Sequence, residues 1–228
     1  PAPRVAILST GDELVEPGRP IGPHQIYNSG APSLSAFVVR HAGAAHVLPS
    51  SADDAPAIAR TISEAAFDLL VTVGGASVGD HDLVGRVVEG LGMERAFHRI
   101  AMRPGKPLMA GRLGTSALLG LPGNPVSAIV TALLFMQPLI RRMQGQAEAG
   151  APLRHGVLGR SLPPEGDRQH YLRARLGDGE GGVVVEPFED QDSARLKLMA
   201  EADALLVRPA GDPAREIGAQ VCYIPLSR

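Results

Sequence analysis

Short apolar runs alternate with helix-like segments over the first two-thirds of the chain. The clearest run, Leu69–Val73, is apolar apart from one β-branched threonine, and Gly74-Gly75 ends it. Short runs of this kind between turn residues predict buried strands. The strands predicted in this way are Val5–Leu8, Ala45–Leu48, Leu69–Val73, one near Ala96–Met102, and short ones around Leu108–Ala110 and Ala117–Leu119.

Helical patterns fill the intervals between these runs. After the first strand, Leu34, Phe37 and Val38 recur at three- and four-residue spacing, and Gly43 marks the end of the pattern. The predicted helices are Pro32–His41, Ala55–Ala66, Leu83–Leu91 and Val126–Met143. Apolar strands separated by helices predict an α/β fold over residues 1–145, a doubly wound and mostly parallel sheet with helices on both faces.

The character of the sequence changes after Gly145. Residues 146–152 are small, polar and interrupted by Gly and Pro, as is typical of a linker. Short strand patterns separated by turn residues then predict a small all-β domain over residues 153–228, which is barrel-like or a sandwich. Its predicted strands are Gly156–Leu162, His170–Leu176, Val183–Pro187, Ala204–Arg208 and Gln220–Pro225.

Composition narrows the classes of partner. The 228 residues carry 22 Lys+Arg and 24 Asp+Glu, a net charge of −2, which excludes a global footprint for nucleic acid. Cys222 is the only cysteine, so a disulfide scaffold is excluded. No apolar run approaches the roughly 18 residues of a membrane span, and no basic, apolar, small-residue pattern opens the chain, so we expect no signal peptide. We therefore expect a cytoplasmic protein with no membrane partner. Because Pro1-Ala2-Pro3 leads directly into a strand without an initiator Met, we also expect a fragment cut at a domain boundary.

Chemically unusual segments follow directly after the predicted strands. In a doubly wound sheet, ligands bind beyond the carboxyl ends of the strands, so these segments should converge on one rim. They are Ser9–Leu14, Asp53-Asp54, Gly74–Asp82, Arg99 with Met102–Pro107, and Gly120–Pro125.

The side chains of these segments suit an anion and a metal. Glycine loops leave backbone N–H groups open to a phosphate. Asn124, before Pro125, is placed to cap the long helix, whose N-terminus attracts anions. Arg99, Arg103 and Lys106 supply cations for an oxyanion. Hard oxygen ligands of the type that Mg²⁺ takes are offered by Glu13, Asp53, Asp80 and Asp82.

Each feature alone also has a purely structural explanation. Gly74-Gly75 can be a simple turn, and either Asp53 or Asp54 can cap the helix that follows. Arg103 and Lys106 can be solvated surface residues. The shared position of the segments favours a site that binds an anion together with a metal.

Four motifs at these positions resemble the MoeA family of molybdopterin molybdenumtransferases, of which the gephyrin E domain is a relative. In chain order they are Ser9–Leu14 (STGDEL), Gly74–Asp82 (GGASVGDHD), Met102–Pro107 (MRPGKP) and Gly120–Ser127 (GLPGNPVS). The C-terminal segment resembles the last domain of the family through looser motifs. The resemblance implies the final step of molybdenum cofactor synthesis, in which adenylylated molybdopterin loses its adenylyl group with the help of Mg²⁺ and receives molybdate.

The resemblance also implies roles for individual residues. Glu13, Asp53 and Asp82 match family positions implicated in activity, and Asp82 is the first choice for holding Mg²⁺ or the attacking water. The metal candidates are Asp82, Glu13 and Asp80. The predicted substrate-binding residues, for pterin, phosphate or molybdate, are Thr10, Gly11, Asp12, Gly74, Gly75, Ser77, Gly79, Arg99, Arg103, Lys106, Pro122, Gly123, Asn124, Pro125, Ser127, Arg168 and Ser193.

Two other functions stay open. A MogA-like molybdopterin adenylyltransferase shares the α/β core and uses ATP, although its Gly-Gly-Thr-Gly signature is replaced here by Gly74–Ser77 and the β segment has no place in it. A non-catalytic scaffold module of the gephyrin type would need a peptide-binding surface, which no sequence feature marks. The resemblance further implies a homodimer in the full-length protein, built largely by N-terminal domains that precede this segment.

Overall fold

The computed structural model describes residues 2–50, 53–74, 82–180 and 182–226, and the chain divides into two compact units. The first unit comprises Pro1–Ile100 and Pro107–Ala149, and the second comprises Ala101–Lys106 and Gly150–Arg228. The boundary after Ala149 falls within the predicted linker 146–152. The segment Ala101–Lys106 belongs to the second unit, although the predicted division placed it in the first domain.

The elements are numbered in chain order. The strands are β1 (Arg4–Ser9), β2 (Leu14–Val15), β3 (Ile26–Tyr27), β4 (Ala44–Val47), β5 (Leu69–Val73), β6 (Met93–His98), β7 (Met102–Arg103), β8 (Met109–Leu113), β9 (Ser116–Leu121), β10 (Arg154–Leu158), β11 (Gln169–Gly179), β12 (Gly182–Pro187), β13 (Ala204–Arg208) and β14 (Gln220–Pro225). The α-helices are α1 (Gly30–Arg40), α2 (Ala55–Glu64), α3 (Leu83–Gly90), α4 (Pro125–Thr131), α5 (Gln137–Met143) and α6 (Leu196–Glu201).

A six-stranded sheet forms the centre of the first unit, in the order β4-β1-β5-β9-β8-β6. The first four strands in this order are parallel, β8 is antiparallel to β9, and β6 is antiparallel to β8. β6 therefore runs in the same direction as the parallel strands, and the carboxyl ends of β1, β5, β6 and β9 lie at one edge. The prediction of a mostly parallel, doubly wound sheet is confirmed.

The central strands of this sheet are apolar at most positions and are buried on both faces. In β1, Val5 and Ile7 belong to one core cluster with α1 and the α4–α5 helix, whereas Ala6 and Leu8 belong to a second cluster with α2 and α3. This two-sided burial explains the continuous apolar runs, since a strand exposed on one face would alternate apolar and polar residues.

The predicted long helix is interrupted by a π-helical turn. Pro125–Met143 is continuous over 19 residues, but Ala132–Met136 between α4 and α5 is a π-helix. Pro138 has no N–H to donate within the helix. A π-helical turn gives new hydrogen-bond partners to the backbone groups that a proline leaves unpaired. By length and composition alone this helix would be apolar enough to cross a membrane. In the 18-residue window that passes the test, 56% is buried inside the protein, as in the core helix of a globular domain.

The bounds predicted for the strand near Ala96–Met102 were wrong. β6 begins at Met93 and ends at His98, and Met102 belongs to the separate strand β7. β6 is an edge strand with exposed Glu94 and Arg95, so its polar half gave no apolar signal. A shift in its pairing with β8 between Arg95 and Phe97 further hides the alternation.

A five-stranded barrel forms the second unit, as predicted. Its order is β12-β10-β14-β13-β11, and antiparallel pairing of β11 with β12 closes the circle. β7 adds to β11 in parallel, with Arg103 opposite His170. The barrel core contains Leu158, Leu172 and Leu206 among other apolar side chains.

Candidate functional site

Three loops meet at the carboxyl ends of β1, β5 and β9. The N–H of Thr10 donates to the carbonyl oxygen of Val73 at 3.1 Å. Gly74 has a φ of +86°, and a Cβ at this position would lie 2.6 Å from the carbonyl oxygen of Thr10. A Cβ on Gly123 would lie 3.2 Å from the Cα of Gly74. The backbone can make this approach only because residue 74 is glycine. The carboxyl ends of β1, β5, β6 and β9, with the loops that follow them, are called the sheet rim below.

Three carboxylates gather beside the first loop of the rim. The backbone N–H of Asp53 donates to Oδ1 of Asp12 at 3.0 Å. A Cβ on Gly11 would lie within 2.7–2.9 Å of the Glu13 carboxyl group, so that group folds back over the glycine. Partial burial, followed by repulsion from Asp12 and then Glu13, raises the pKa of Asp53 above its ordinary value. The helix cap itself is Asp54, which accepts from the N–H of Ala57 at 3.0 Å.

Asp82 lies at the start of α3 with its two carboxylate oxygens in different environments. Oδ1 accepts a hydrogen bond from the N–H of Gly85 at 2.9 Å, which makes Asp82 the N-cap of the helix. Oδ2 lies 3.9 Å from Nε2 of His98, and both side chains are largely buried, at 15% exposed for His98 and 11% for Asp82. The residue named first for catalysis therefore also has a structural task, and one oxygen remains uncommitted.

Buried polar atoms without partners concentrate at the sheet rim. In the described part of the chain, seven buried side-chain nitrogen or oxygen atoms have no hydrogen-bond partner, and five of them belong to rim residues. Buried polar groups are normally paired, and a ligand or ordered water supplies partners that the protein lacks. The five atoms are Ser9 Oγ, Thr10 Oγ1, Thr72 Oγ1, His98 Nε2 and Asn124 Oδ1.

One predicted rim residue, Asn124, differs from expectation, and Arg99 has an unusual backbone conformation. Asn124 stands at the N-cap position before Pro125, but its side chain makes no capping hydrogen bond, so the prediction of a side-chain cap was wrong. Its Oδ1 is instead buried without a partner among the described residues. Arg99 is exposed and has a φ of +73°, a conformation that costs a residue with a side chain strain energy. Pro122 and Ser127 are buried at the end of β9 and in α4.

The predicted substrate-binding and metal sets are only partly within the described residues. Gly75, Ser77, Gly79 and Asp80 fall in the segment 75–81, outside the described residues. Among the residues that the structure describes, no three His, Cys, Asp or Glu side chains form a group that could hold a metal ion. The ligand set Asp82, Glu13 and Asp80 stays a prediction.

Arg103 and Lys106, expected on the same rim as Arg99, belong to the second unit. Arg103 lies in β7 and lines a cavity of about 400 Å³, together with Glu165, His170 and Arg208 of the same unit. Nδ1 of His170 lies 3.0 Å from Oε1 of Glu165. Burial lowers the pKa of His170, the Glu165 contact opposes this shift, and the charges of Arg103 and Arg208 add to it.

Sequence reasoning missed Arg173, which organises the segment that carries Ser193. The Arg173 side chain is buried and donates to Oε1 of Gln191 and to the carbonyl oxygens of Asp190, Asp192 and Arg195. Arg173 therefore holds the backbone of the segment 190–195, in which Ser193 is partly exposed. Arg168, by contrast, is half-exposed, and its Nε lies 4.0 Å from Oδ1 of Asp167. An arginine in the middle of a predicted barrel strand was the available signal, because charged residues are buried there only with partners.

Comparison with known proteins places this architecture in a defined class. A solved structure described as the molybdopterin biosynthesis MoeA protein from Pyrococcus horikoshii superposes with a TM-score of 0.84 at 28% sequence identity, covering 100% of this chain and 55% of that chain. A molybdenum cofactor biosynthesis protein from Pyrococcus furiosus, at a TM-score of 0.73, 19% identity and coverage of 99% and 68%, shares the fold.

Residues 6–142 match the family model described as a probable molybdopterin binding domain, and residues 155–226 match the MoeA C-terminal region (domain IV). The chain therefore belongs to the MoeA family, and the resemblance found in the motifs is confirmed. It is 36% identical over 232 residues to the molybdopterin molybdenumtransferase of Nostoc sp., covering 98% of this chain and 53% of the relative. It is 37% identical over 218 residues to molybdopterin molybdenumtransferase 2 of Mycobacterium tuberculosis, covering 92% and 53%. The chain spans about half the length of these curated relatives.

Proposed function

We propose that this chain carries the molybdopterin-binding core of a molybdopterin molybdenumtransferase. Its substrates are adenylylated molybdopterin and molybdate, and the reaction is insertion of molybdate with hydrolysis of the adenylyl group. The observation that carries the proposal is the sheet rim, where three loops meet and five buried polar atoms have no partner among the described residues. The names of the relatives support the same activity. The full-length protein acts as a cytoplasmic homodimer under this proposal.

The rim residues divide the work by their chemistry. The backbone of the glycine loops around Gly74 and Gly123 approaches the pterin phosphate closely, and Arg99 neutralises the charge of an oxyanion. Asp82, through the oxygen that does not cap α3, orients the water that attacks the adenylyl-phosphate bond. The binding roles implied for Arg103, Lys106, Arg168 and Ser193 of the second unit stay predictions.

Mg²⁺ fits the carboxylates of the rim. Burial first, and then repulsion from Asp12 and Glu13, raises the pKa of Asp53, and a divalent cation relieves the repulsive part. Mg²⁺ commonly uses one or two carboxylates and completes its shell with water and substrate phosphate, so a set of three protein ligands is not required. Glu13 and Asp53 would hold the ion, which would supply charge neutralisation at the phosphates.

An anaerobic equilibrium titration with adenylylated molybdopterin tests the proposal. We expect saturable binding to the wild-type chain, about tenfold weaker binding to Arg99→Ala, and nearly unchanged binding to Asp82→Asn. The matched control is Arg112→Ala, which removes the same charge from an exposed position in β8 and should bind as the wild type does.

The outcomes separate the alternatives. If Arg99→Ala and Arg112→Ala weaken binding of adenylylated molybdopterin equally, the loss is a general effect of charge and a rim site is refuted. ATP-dependent adenylylation of molybdopterin would identify a MogA-like enzyme instead, although the match of residues 155–226 to the MoeA C-terminal region favours the transferase.

A further inference from the structure

His98 lies in a row of residues that crosses the sheet. It pairs with Met109, Met109 pairs with Gly120, and Gly120 pairs with Thr72. Residues directly opposite one another on neighbouring strands share a face of the sheet. Met109 packs in the core cluster of α2 and α3, so the His98 side chain also emerges on the face that α3 covers.

A β-bulge decides which face His98 takes. Met93 packs on the α3 face, and strict alternation would give that face to residues 95 and 97. The register shift between Arg95 and Phe97 makes Ala96 an extra residue. Phe97 consequently packs on the other face, with its ring centroid 6.4 Å from that of Phe135, and His98 returns to the α3 face. Bulges re-aim side chains in this way and are frequent beside active sites.

The bulge brings His98 to Asp82. Nε2 of His98 is buried, has no hydrogen-bond partner among the described residues, and lies 3.9 Å from Oδ2 of Asp82. The other oxygen, Oδ1, is already held by the N–H of Gly85. The next residue, Arg99, is in the left-handed region, with its N–H donating to the carbonyl oxygen of Leu108 at 2.9 Å. The bulge at Ala96 and the left-handed conformation of Arg99 together give the end of β6 an irregular backbone.

We infer that His98 is a positioning residue for Asp82. The Nε2–H of His98 holds Oδ2 of Asp82, while the N–H of Gly85 holds Oδ1. A closure of about 1 Å brings the two atoms to hydrogen-bond distance, and such contacts often tighten only when the substrate is bound. With both oxygens held, the carboxylate cannot rotate away from the water or phosphate that it orients. Its effect on turnover rests on the proposed function, whereas the contact with Asp82 does not.

The first test is spectroscopic and does not depend on activity. Histidine ring ¹⁵N–¹H spectra of the chain are recorded for the wild type and for Asp82→Asn, with His98 assigned by its absence in His98→Gln. We expect a proton on Nε2 of His98 and a clear shift of this signal in Asp82→Asn. The exposed His46 of β4 serves as the control and should not move. An unchanged His98 signal, or a proton on Nδ1 alone, would overturn the inference.

The second test uses turnover in the full-length protein. We expect His98→Leu to lower kcat roughly 10- to 100-fold with KM little changed, as loss of an orienting partner does. His98→Gln, which keeps an N–H donor, should recover part of the loss, and His98→Leu should add nothing in the Asp82→Asn background. His46→Leu should match the wild type.

An equal loss from His98→Leu with and without Asp82 would show that the histidine acts elsewhere, and the inference would fall. A thermal midpoint for His98→Leu within a few degrees of the wild type excludes simple unfolding, and His98→Gln repeats the test if the leucine variant does not fold. If the wild-type protein shows no turnover of molybdopterin, the proposed function fails, and the ¹⁵N comparison alone decides the contact.

Discussion

At the sheet rim of the first unit, the hydroxyl groups of Thr10 and Thr72 are buried without a partner among the described residues, whereas the buried guanidinium of Arg173 in the second unit donates four hydrogen bonds. Arg208 of the same unit bonds to Asp212 and to two proline carbonyl oxygens, and only its Nη1 lacks a partner there. The buried arginines of the second unit donate their hydrogen bonds to the loops of that unit. The first unit leaves five buried polar atoms of the sheet rim without a partner among the described residues, as a protein does where a ligand completes the structure.

The largest effect that tests this contrast is expected at Arg208. Arg208→Met should lower the free energy of unfolding of the second unit by about 3–5 kcal/mol, because Asp212 then stays buried with a reduced set of partners. Chemical denaturation followed by a probe in the barrel measures the loss. The control is Arg215→Met, which removes the more exposed partner of the same carboxylate and should cost about 1 kcal/mol. Equal losses would mean that Arg208 has no special place in the barrel.

A second prediction concerns the loop junction of the rim. Gly74→Ala should cost about 2 kcal/mol or more, since the new Cβ meets the Thr10 carbonyl oxygen at 2.6 Å and φ is +86°. Gly92→Ala is the matched control, with a φ of +91° and nothing within 4 Å of the added Cβ, so it carries only the conformational cost of about 1 kcal/mol. Thermal unfolding of both variants measures the difference, and similar losses would contradict the close approach of the two loops.

A smaller effect is expected at Asp53, with a defined dependence on pH. The folded-state pKa of Asp53 lies above its unfolded value of 3.8, so the folded protein binds more protons between the two values and loses stability as pH rises through them. Asp53→Asn should remove this loss and raise stability at pH 7 by less than about 1 kcal/mol, since the group is exposed.

The effect of Mg²⁺ on unfolding gives a second test of Asp53. The ion should raise the unfolding midpoint of the wild type more than that of Asp53→Asn, because it relieves the same repulsion. A stability difference between the wild type and Asp53→Asn that stays constant as pH rises from 3.8 toward 7, or a variant that responds fully to Mg²⁺, would contradict a shared carboxylate site.

The smallest effect is expected at Thr72, and the identical substitution at a second fully buried threonine, Thr131, is its control. Thr72→Val should change the free energy of unfolding by less than about 0.5 kcal/mol, because the hydroxyl has no partner in the described structure. Thr131→Val should cost about 1 kcal/mol, since its hydroxyl donates to the carbonyl oxygen of Ser127 at 2.7 Å. Equal costs in urea denaturation would erase the distinction between rim and interior.

Strands buried on both sides were the most predictable elements. Leu69–Val73 was predicted with its exact bounds because every side chain in it is buried, and Ala204–Arg208 and Gln220–Pro225 were equally well bounded by turn residues. The edge strand β6 was misplaced, since an exposed edge leaves no apolar pattern and a bulge breaks what alternation remains.

The site was predictable where chain direction alone decides position. The convergence of the Thr10, Gly74 and Gly123 loops follows from parallel strands that end at one edge. The pairing of Asp82 with His98 does not, because one extra residue in β6 determines which face His98 takes. The assignment of Arg103 to the second unit was equally hidden, since it depends on a two-residue strand pairing with a segment more than sixty residues away.

The segment Ala101–Lys106 limits how this protein can be cut and recombined. A polypeptide that begins at Gly150 lacks β7 and so leaves an uncovered backbone edge on β11, which invites association with another chain. If the C-terminal region alone were exchanged between relatives, the transferred five-stranded barrel would have to pair with the β7 of the recipient. The second unit is therefore built from two separated stretches of sequence, and Met102 and Arg103 pair with residues 169–170 far along the chain.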